Sequence, residues 1–286
     1  MNVEEYLRVE EAPAKPGGET KKIYPVSISF HQKSKLLVIC LIDCDIKVYQ
    51  LKSSGTSLQV NNYFSFFSTF IPCTSHLAQH KINDNVILVL ASEMGQVEIY
   101  SLAETEKGTK IKEIKIKYSH KEQGPITQAY YHKDVGLIVS MFKGMLHIYD
   151  SMEFKILWET TNQNRKEDIT ITTFDYSAKA GLIAVGGVEG KIAVFDPSAK
   201  ILTAQNKAHD SEVMDMYFYD KQMQLITVGV DRSIMLWDSL KLECVQTIKD
   251  NSPQSRFYSS TCFNSQRGVL LTACINIKVW SAQVDP

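Results

Sequence analysis

Six short segments of this 286-residue chain end in an aromatic residue at nearly even intervals, and that periodicity restricts the fold more than any other feature. They are Asp45–Tyr49, Gly95–Tyr100, Gly144–Tyr149, Gly190–Phe195, Ser233–Trp237 and Asn276–Trp280. The aromatics stand at 49, 100, 149, 195, 237 and 280, so successive intervals are 51, 49, 46, 42 and 43 residues. Within each segment apolar and variable residues alternate, the period-two signature of a strand with one buried face. Self-similarity at a period of about 40–50 residues marks a repeat architecture in which each repeat is one supersecondary unit.

The residues upstream of each aromatic strand repeat as well. Ile171–Tyr176, a turn, and Leu182–Val185 form one pair of runs; Val213–Phe218 and Leu225–Val228 form the next. Ile126–Tyr131 with Leu137–Ser140, and Val26–Phe30 with Leu36–Leu41, follow the same plan. A fourth run follows the aromatic strand in several units, as in Glu243–Ile248 and Ile114–Tyr118. The only stretch with a helical pattern, Val3–Glu11, is short and runs into Pro13, Pro16, Gly17 and Gly18. The chain therefore reads as all-β, built from four-stranded units. One such sheet cannot cover both of its faces alone, whereas radial stacking covers them, so the expected architecture is a β-propeller with six recognisable blades.

The segment from Ala208-His209 through Leu225–Asp231 to Trp237-Asp238 resembles a WD repeat. The family pattern is a Gly-His pair and a Trp-Asp pair, with an Asp six residues before the Trp. His209, Asp231, Trp237 and Asp238 stand in the matching places, and Ala208 replaces the glycine. The resemblance implies a structural tetrad of His209, Thr227, Asp231 and Trp237, in which Asp231 accepts from the imidazole and the Thr227 hydroxyl links imidazole to indole. The other units depart from the pattern: the place of Asp231 is taken by Asp43 and Glu189, and elsewhere by Met94, Lys143 and Cys274. The family's rings commonly have seven blades, so two arrangements stay open: a six-bladed ring, or part of a larger propeller in a longer protein. Residues 23–286 form the propeller. Residues 1–22 are an N-terminal extension and a candidate closing strand, with Val3, Glu5, Leu7 and Val9 on one side.

Composition narrows function by exclusion. Thirty-one Lys and Arg face 32 Asp and Glu, a net charge of −1 that offers no global attraction to nucleic acid. No apolar run reaches the length of a membrane helix, and the N-terminus has no secretory pattern, which leads to the expectation of an intracellular, cytoplasmic protein. The six cysteines form no C-x-x-C pair and are expected as reduced thiols, with Cys40, Cys244, Cys262 and Cys274 among apolar neighbours as small hydrophobes. The run Gly186–Lys191 lacks the spacing and the Ser or Thr of a phosphate-binding loop and reads as a turn. His76 and His80 read as loop or strand-edge residues. Carboxylate pairs such as Glu4-Glu5 and Glu10-Glu11 sit in solvated stretches. No enzyme, cofactor or metal site is expected.

Two stretches are candidates for a contact surface: Lys110, Lys112, Lys115 and Lys117, which equally suit an outer edge strand guarded against pairing, and Arg165 and Lys166 in a polar loop, with Arg232 in a turn. The F-R-R-G run carried by phosphoinositide-binding propellers is absent. Leu240, where ubiquitin-ligase receptor propellers carry Arg, argues against that role. The expected function is a non-enzymatic scaffold for protein–protein interaction within a large complex, because degenerate repeats and the long Ser101–Gly124 connection suit a fixed subunit. The run from Thr173 through Gly190 to Trp237-Asp238 and Cys244 is similar to the large WD-repeat proteins of cilia and flagella, which implies axonemal proteins or tubulin as partners. The alternative is a soluble peptide-binding adaptor in vesicle coats, signalling or ribosome assembly.

Overall fold

The computed structural model describes residues 23–54, 57–79, 85–104, 111–121, 124–141, 144–150, 153–159, 169–251, 258, 260–273 and 277–281. The candidate closing strand at 1–22 lies outside them. The described chain contains strands and turns and no helix, and forms six sheets in the all-β class of the six-bladed β-propeller. The first sheet comprises β1 (Pro25–His31), β2 (Leu36–Leu41), β3 (Asp45–Ser54) and β4 (Ser57–Phe67). The second comprises β5 (Thr74–Gln79), β6 (Val86–Ala91), β7 (Gln96–Glu104) and β8 (Ile111–Lys121). The third comprises β9 (Ile126–His132), β10 (Gly136–Met141), β11 (Leu146–Tyr149) and β12 (Ile156–Glu159). The fourth comprises β13 (Ile171–Ser177), β14 (Leu182–Gly187), β15 (Lys191–Asp196) and β16 (Ile201–Lys207). The fifth comprises β17 (Val213–Tyr219), β18 (Gln224–Gly229), β19 (Ser233–Asp238) and β20 (Cys244–Lys249). The sixth has three strands among the described residues, β21 (Ser260–Asn264), β22 (Val269–Ala273) and β23 (Ile277–Ser281).

In every sheet the strands pair in chain order, so each is a meander. The second strands are the most apolar, and β6, β10 and β14 are buried at every residue. A strand buried on both faces loses the alternation of a half-buried one and reads as a continuous apolar run. The fourth strands behave in the opposite way: β20 is exposed at five of six positions and alternates no hydrophobic face. The chain divides into two compact units, one of residues 1–139 and 149–155 and the other of 140–148 and 156–286. In the first, Val38, Cys40, Ile46, Val48, Leu88 and Leu90 form a core between the first two sheets. In the second, one cluster joins the fourth and fifth sheets through Ile192, Val194, Val213 and Leu225, and another joins the fifth and sixth through Ile226, Ile234 and Leu270. Each such side chain contributes roughly 1.5–3 kcal/mol on full burial.

Two regularities were not visible as alternation. The register shifts by one residue just before the aromatic in four sheets, at Val48/Tyr49, Ile99/Tyr100, Val194/Phe195 and Leu236/Trp237. A bulge there re-aims the aromatic side chain and increases the local twist. The second is the turn between second and third strands, closed in five sheets by the same backbone hydrogen bond, from Cys44, Gly95, Gly144, Gly190 and Arg232 to the residue three before each. All five donors have positive φ, between 65° and 83°. The segment Ser101–Gly124, expected as a long inter-blade connection, is mostly strand: β7 continues to Glu104 and pairs with β8 in a long hairpin.

Gly190 shows why only some of these turns need glycine. Cys44 and Arg232 hold the same positive φ with a side chain. At Gly190 an added Cβ would stand 2.1 Å from the carbonyl oxygen of His209 and 2.5 Å from that of Ser211. The Gly190 carbonyl also accepts from the N–H groups of Ala208 and His209. Gly190→Ala is expected to cost about 2 kcal/mol or more, through backbone strain plus displacement of the His209 segment. Arg232→Gly in the matching turn should change stability by about 1 kcal/mol at most. Urea unfolding midpoints of the two variants test the contrast.

Candidate functional site

The fifth sheet brings His209, Thr227, Asp231 and Trp237 together. His209 lies in the approach to β17, Thr227 on β18, Asp231 in the β18–β19 turn and Trp237 on β19. The Trp237 indole donates to Thr227 Oγ1 at 3.0 Å, and Thr227 Oγ1 lies 2.8 Å from His209 Nε2. His209 Nδ1 lies 3.1 Å from Asp231 Oδ1 and 2.7 Å from Ser233 Oγ. Ser233 is a fifth member that sequence reasoning missed. Its hydroxyl donates to Asp231 Oδ1 at 2.7 Å and its N–H donates to the same oxygen at 3.0 Å. Asp231 Oδ2 takes the Asp210 N–H at 3.0 Å.

The donors fix the protonation of this network. Thr227 already receives the indole proton, so its own hydroxyl donates to His209 Nε2, and the imidazole carries its proton on Nδ1 toward Asp231 and Ser233. Burial disfavours the imidazolium and pulls His209 below its ordinary value, although the Asp231 carboxylate opposes this. Burial also works against the Asp231 charge, but the three hydrogen bonds from Ser233 and Asp210 outweigh it and hold the carboxyl below its ordinary range. The network is thus a neutral ring against an ionised carboxylate, with every described member partnered. It is a brace within one sheet: Thr227 and His209 are fully or almost fully buried and present nothing to a ligand.

The remaining sheets use other braces. Trp280 donates to Thr272 Oγ1 at 2.9 Å, so the sixth sheet keeps the threonine–indole half of the arrangement. The signal was present in Thr272 and Trp280, eight residues apart. In the second sheet buried Glu98 accepts from Thr69 Oγ1 at 2.5 Å and from the Tyr100 hydroxyl, whose pKa is driven up by burial and then by that carboxylate. Two turns are capped differently: Asp43 accepts the Asp45 N–H, and Ser92 Oγ accepts the N–H groups of Met94 and Gln96.

The carboxylate pairs Glu4-Glu5 and Glu10-Glu11 lie outside the described residues. Two single carboxylates are buried, and the expectations for His76 and for the cysteines are corrected. Asp175 on β13 takes the Phe218 N–H of the next sheet at 2.7 Å, and burial pushes its pKa up to about 7. Asp215 on β17 accepts from Tyr217, from Thr261 of the sixth sheet and from Thr173 of the fourth, and burial raises it also. These carboxyls latch neighbouring sheets, and their single-letter sequence context carries no mark of it. His76 is not a peripheral residue: it sits on β5, stacks on Tyr130 at 4.0 Å and accepts the Tyr131 N–H on Nδ1. His80 lies outside the described residues. Cys244 and Cys262 are exposed, whereas Cys40 is buried and pushed up to about 12 by that burial; Cys274 lies outside the described residues.

The candidate contact residues do not gather into a described patch. Lys110, Arg165 and Lys166 lie outside the described residues. Lys112, Lys115 and Lys117 lie on β8, whose side chains are likewise not described. Arg232 occupies the β18–β19 turn, where its N–H donates to Gly229 and its carbonyl accepts from Asp250. A surface that sequence reasoning missed lies between the first and second sheets. There a groove of about 590 Å³ is lined by Tyr24, Val26, Phe70, Ile71, Cys73 and Met94, with Glu93 on its rim. Tyr24 is 51% exposed, Ile71 49% and Met94 73%. Ser92 closes this turn in place of an aspartate, which leaves the Met94 side chain outside any network. Among the described residues Glu93 has no ion-pair partner, and no three His, Cys, Asp or Glu residues are grouped to hold a metal.

Thr227→Val removes the one hydroxyl that joins indole to imidazole and leaves both buried groups unpaired. It should cost about 1–3 kcal/mol, and more than Thr272→Val, which orphans only the Trp280 donor. Equilibrium unfolding of the two variants checks the order. A second expectation concerns pH. Burial, then the nearby His132 and His31, lowers His76 from 6.5 to about 3, so its stabilising contribution is lost as pH falls from 6.5 toward 3. Asp175 acts in the other direction, with a contribution lost as pH rises from 3.8 toward about 7. Because Asp175 is common to both proteins, the stability of His76→Gln relative to the wild type should improve by about 1–3 kcal/mol between pH 7 and pH 4.5. A constant difference across that range would contradict it.

Residues 200–238 match the family model described as WD domain, G-beta repeat. Pre-mRNA-processing factor 19 of Bos taurus is 28% identical over 67 residues, which is 23% of this chain and only 13% of that protein's length. Among solved structures, Sqt1 of Chaetomium thermophilum bound to the N-terminus of the ribosomal protein L10 superposes with a TM-score of 0.71 at 16% identity, over 90% of this chain and 72% of that one. A chain of the mitotic checkpoint complex gives a TM-score of 0.70 at 13% identity, over 91% of this chain and 75% of that one. At such identities the likeness is one of fold. The matched stretch carries the buried His209–Thr227–Trp237 network, so residues 200–238 are similar to a WD repeat, and the described sheets have the fold of a β-propeller.

Proposed function

We propose that this chain is a non-enzymatic scaffold that docks partner proteins on the groove between its first and second sheets. The observation that carries the reading is the groove itself: Tyr24, Ile71 and Met94 expose large apolar surface in one groove, and the exposed Glu93 lines it too. Contiguous apolar surface with a polar edge is the anatomy of a protein-binding patch. The buried polar groups elsewhere serve to hold sheets together, and the thiols of buried Cys40 and half-buried Cys73 are pushed up to about 12 and about 11, away from nucleophilic use.

Two finer readings have their own support. The similarity of residues 173–244 to large ciliary and flagellar proteins supports an axonemal or tubulin-bound assembly, and with it a cytoplasmic or ciliary location. The fold neighbour bound to the N-terminus of a ribosomal protein supports an adaptor that holds a peptide. Affinity purification of the tagged chain from its native source, beside an Ile71→Asp/Met94→Asp variant, tests the groove and separates the two. The wild type should retain a stable partner that the double variant loses at least tenfold. Axonemal proteins in the lost fraction support the first reading and ribosomal, coat or signalling proteins the second. A variant that keeps every partner refutes the groove.

A further inference from the structure

The charges around the groove of the first two sheets narrow what its partner can be. The turn between β2 and β3, Leu41–Asp45, stands against the groove. The Ile42 N–H donates to the Tyr24 carbonyl at 3.1 Å, and the Ser68 N–H donates to the Cys44 carbonyl at 3.0 Å. Tyr24 and, two residues beyond Ser68, Phe70 both line the groove. This turn carries Asp43 and Asp45, and the matching turn of the second sheet, Ser92–Gly95, carries Glu93. Asp43 is half-buried and held in place by accepting the Asp45 N–H, whereas Glu93 is exposed and lines the groove. The Cys73 thiol of the same groove is raised first by burial and then by the Glu93 charge, so that carboxylate stands close to the apolar wall. The four stretches that border the groove, residues 23–26, 41–45, 68–73 and 91–96, hold three carboxylates and no Lys, Arg or His. Lys47 of β3 acts on Asp45. Neither Asp43 nor Glu93 has an ion-pair partner among the described residues. The groove is thus apolar within and carries negative charge on both of the sheets that flank it.

We infer that the groove takes an extended segment of a partner protein that is both apolar and basic, with its apolar side chains seated among Tyr24, Phe70, Ile71 and Met94 and its Lys or Arg side chains reaching Glu93 and Asp43. The inference rests on the groove being a docking site and adds the class of partner. The apolar floor supplies affinity through burial, and the carboxylates supply selection and a faster encounter, because charges at the border of an interface act mainly on partner choice and association rate. An acidic segment would bring like charges together over an apolar surface and is rejected. The same carboxylates turn away nucleic acid and anionic lipid, whose charge has the wrong sign. A segment with apolar side chains alone would fill the groove and leave both carboxylates partly desolvated without a counter-charge, so basic residues at its ends improve on it.

The test uses the full chain and capped heptapeptides, followed by titration calorimetry. Arg-Ser-Leu-Ser-Leu-Ser-Arg places two leucines and two arginines on one side of an extended chain. It should bind saturably, and at least tenfold more tightly than the version with Glu in place of both Arg. The version with Ser in place of both Leu should also bind at least tenfold more weakly. Raising the salt from about 50 to about 500 mM should weaken the basic peptide about tenfold. The double variant Glu93→Gln/Asp43→Asn keeps an acceptor for the Asp45 N–H. It should bind the basic peptide about five- to tenfold more weakly and the version with Ser in place of both Arg unchanged. Near-ultraviolet circular dichroism confirms that the variant stays folded. A basic peptide that binds no better than the acidic or the uncharged version, or that the double variant binds as well as the wild type does, overturns the inference and leaves the groove as a docking site. Absence of binding by every peptide overturns the inference whatever fills the groove, and the purification with Ile71→Asp/Met94→Asp then decides the docking reading on its own.

Discussion

The structure depends on the burial of its second strands on both faces. Val86–Ala91, Gly136–Met141 and Leu182–Gly187 are buried at every residue, so a sheet of this kind is not viable with its faces open to water. Face-to-face stacking follows from that requirement, and the clusters between the first and second, fourth and fifth, and fifth and sixth sheets are its product. Apolar area alone is non-directional and would let one sheet slide over the next. Directional contacts fix the stacking: Asp175 reaches the Phe218 N–H of the next sheet, and Asp215 joins Thr173, Tyr217 and Thr261 across three sheets. The hydrogen bonds to each carboxyl offset only part of the cost of desolvation, which still raises both pKa values.

Within a sheet the common problem is the sharp turn between the second and third strands, and the chain solves it with different chemistry in different places. Asp231 caps its turn and ties it to His209, Ser233 and the indole beyond. Asp43 caps its turn without a histidine, and Ser92 does so with a hydroxyl. The backbone turn is the same in five sheets, so it tolerates these substitutions. That tolerance has a functional consequence. Where the side chain at the aspartate position is not needed for capping, it is released to the surface, as Met94 is. The groove occurs where the repeat departs from its own pattern, at the second sheet with its serine cap. Irregular repeats in a rigid scaffold are where a surface can acquire a partner.

The sequence by itself determined the element type, the number of sheets and the position of each third strand, because period-two alternation ending in an aromatic is a local property of the chain. It also determined the grouping of His209, Thr227, Asp231 and Trp237, through a resemblance specific to one repeat. It did not reveal Ser233, whose part depends on a turn placing its hydroxyl against His209, nor the Thr272–Trp280 pair, whose spacing of eight differs from the ten between Thr227 and Trp237. The bulges before Tyr49, Tyr100, Phe195 and Trp237 were equally hidden, since an extra residue in a ladder alters pairing without altering composition. Only the tertiary structure decided which carboxylates are buried, that Cys244 and Cys262 face outward, and where the groove lies. Each of these depends on what a neighbouring sheet places against a residue, and residues far apart in the chain meet there with no periodicity to announce them.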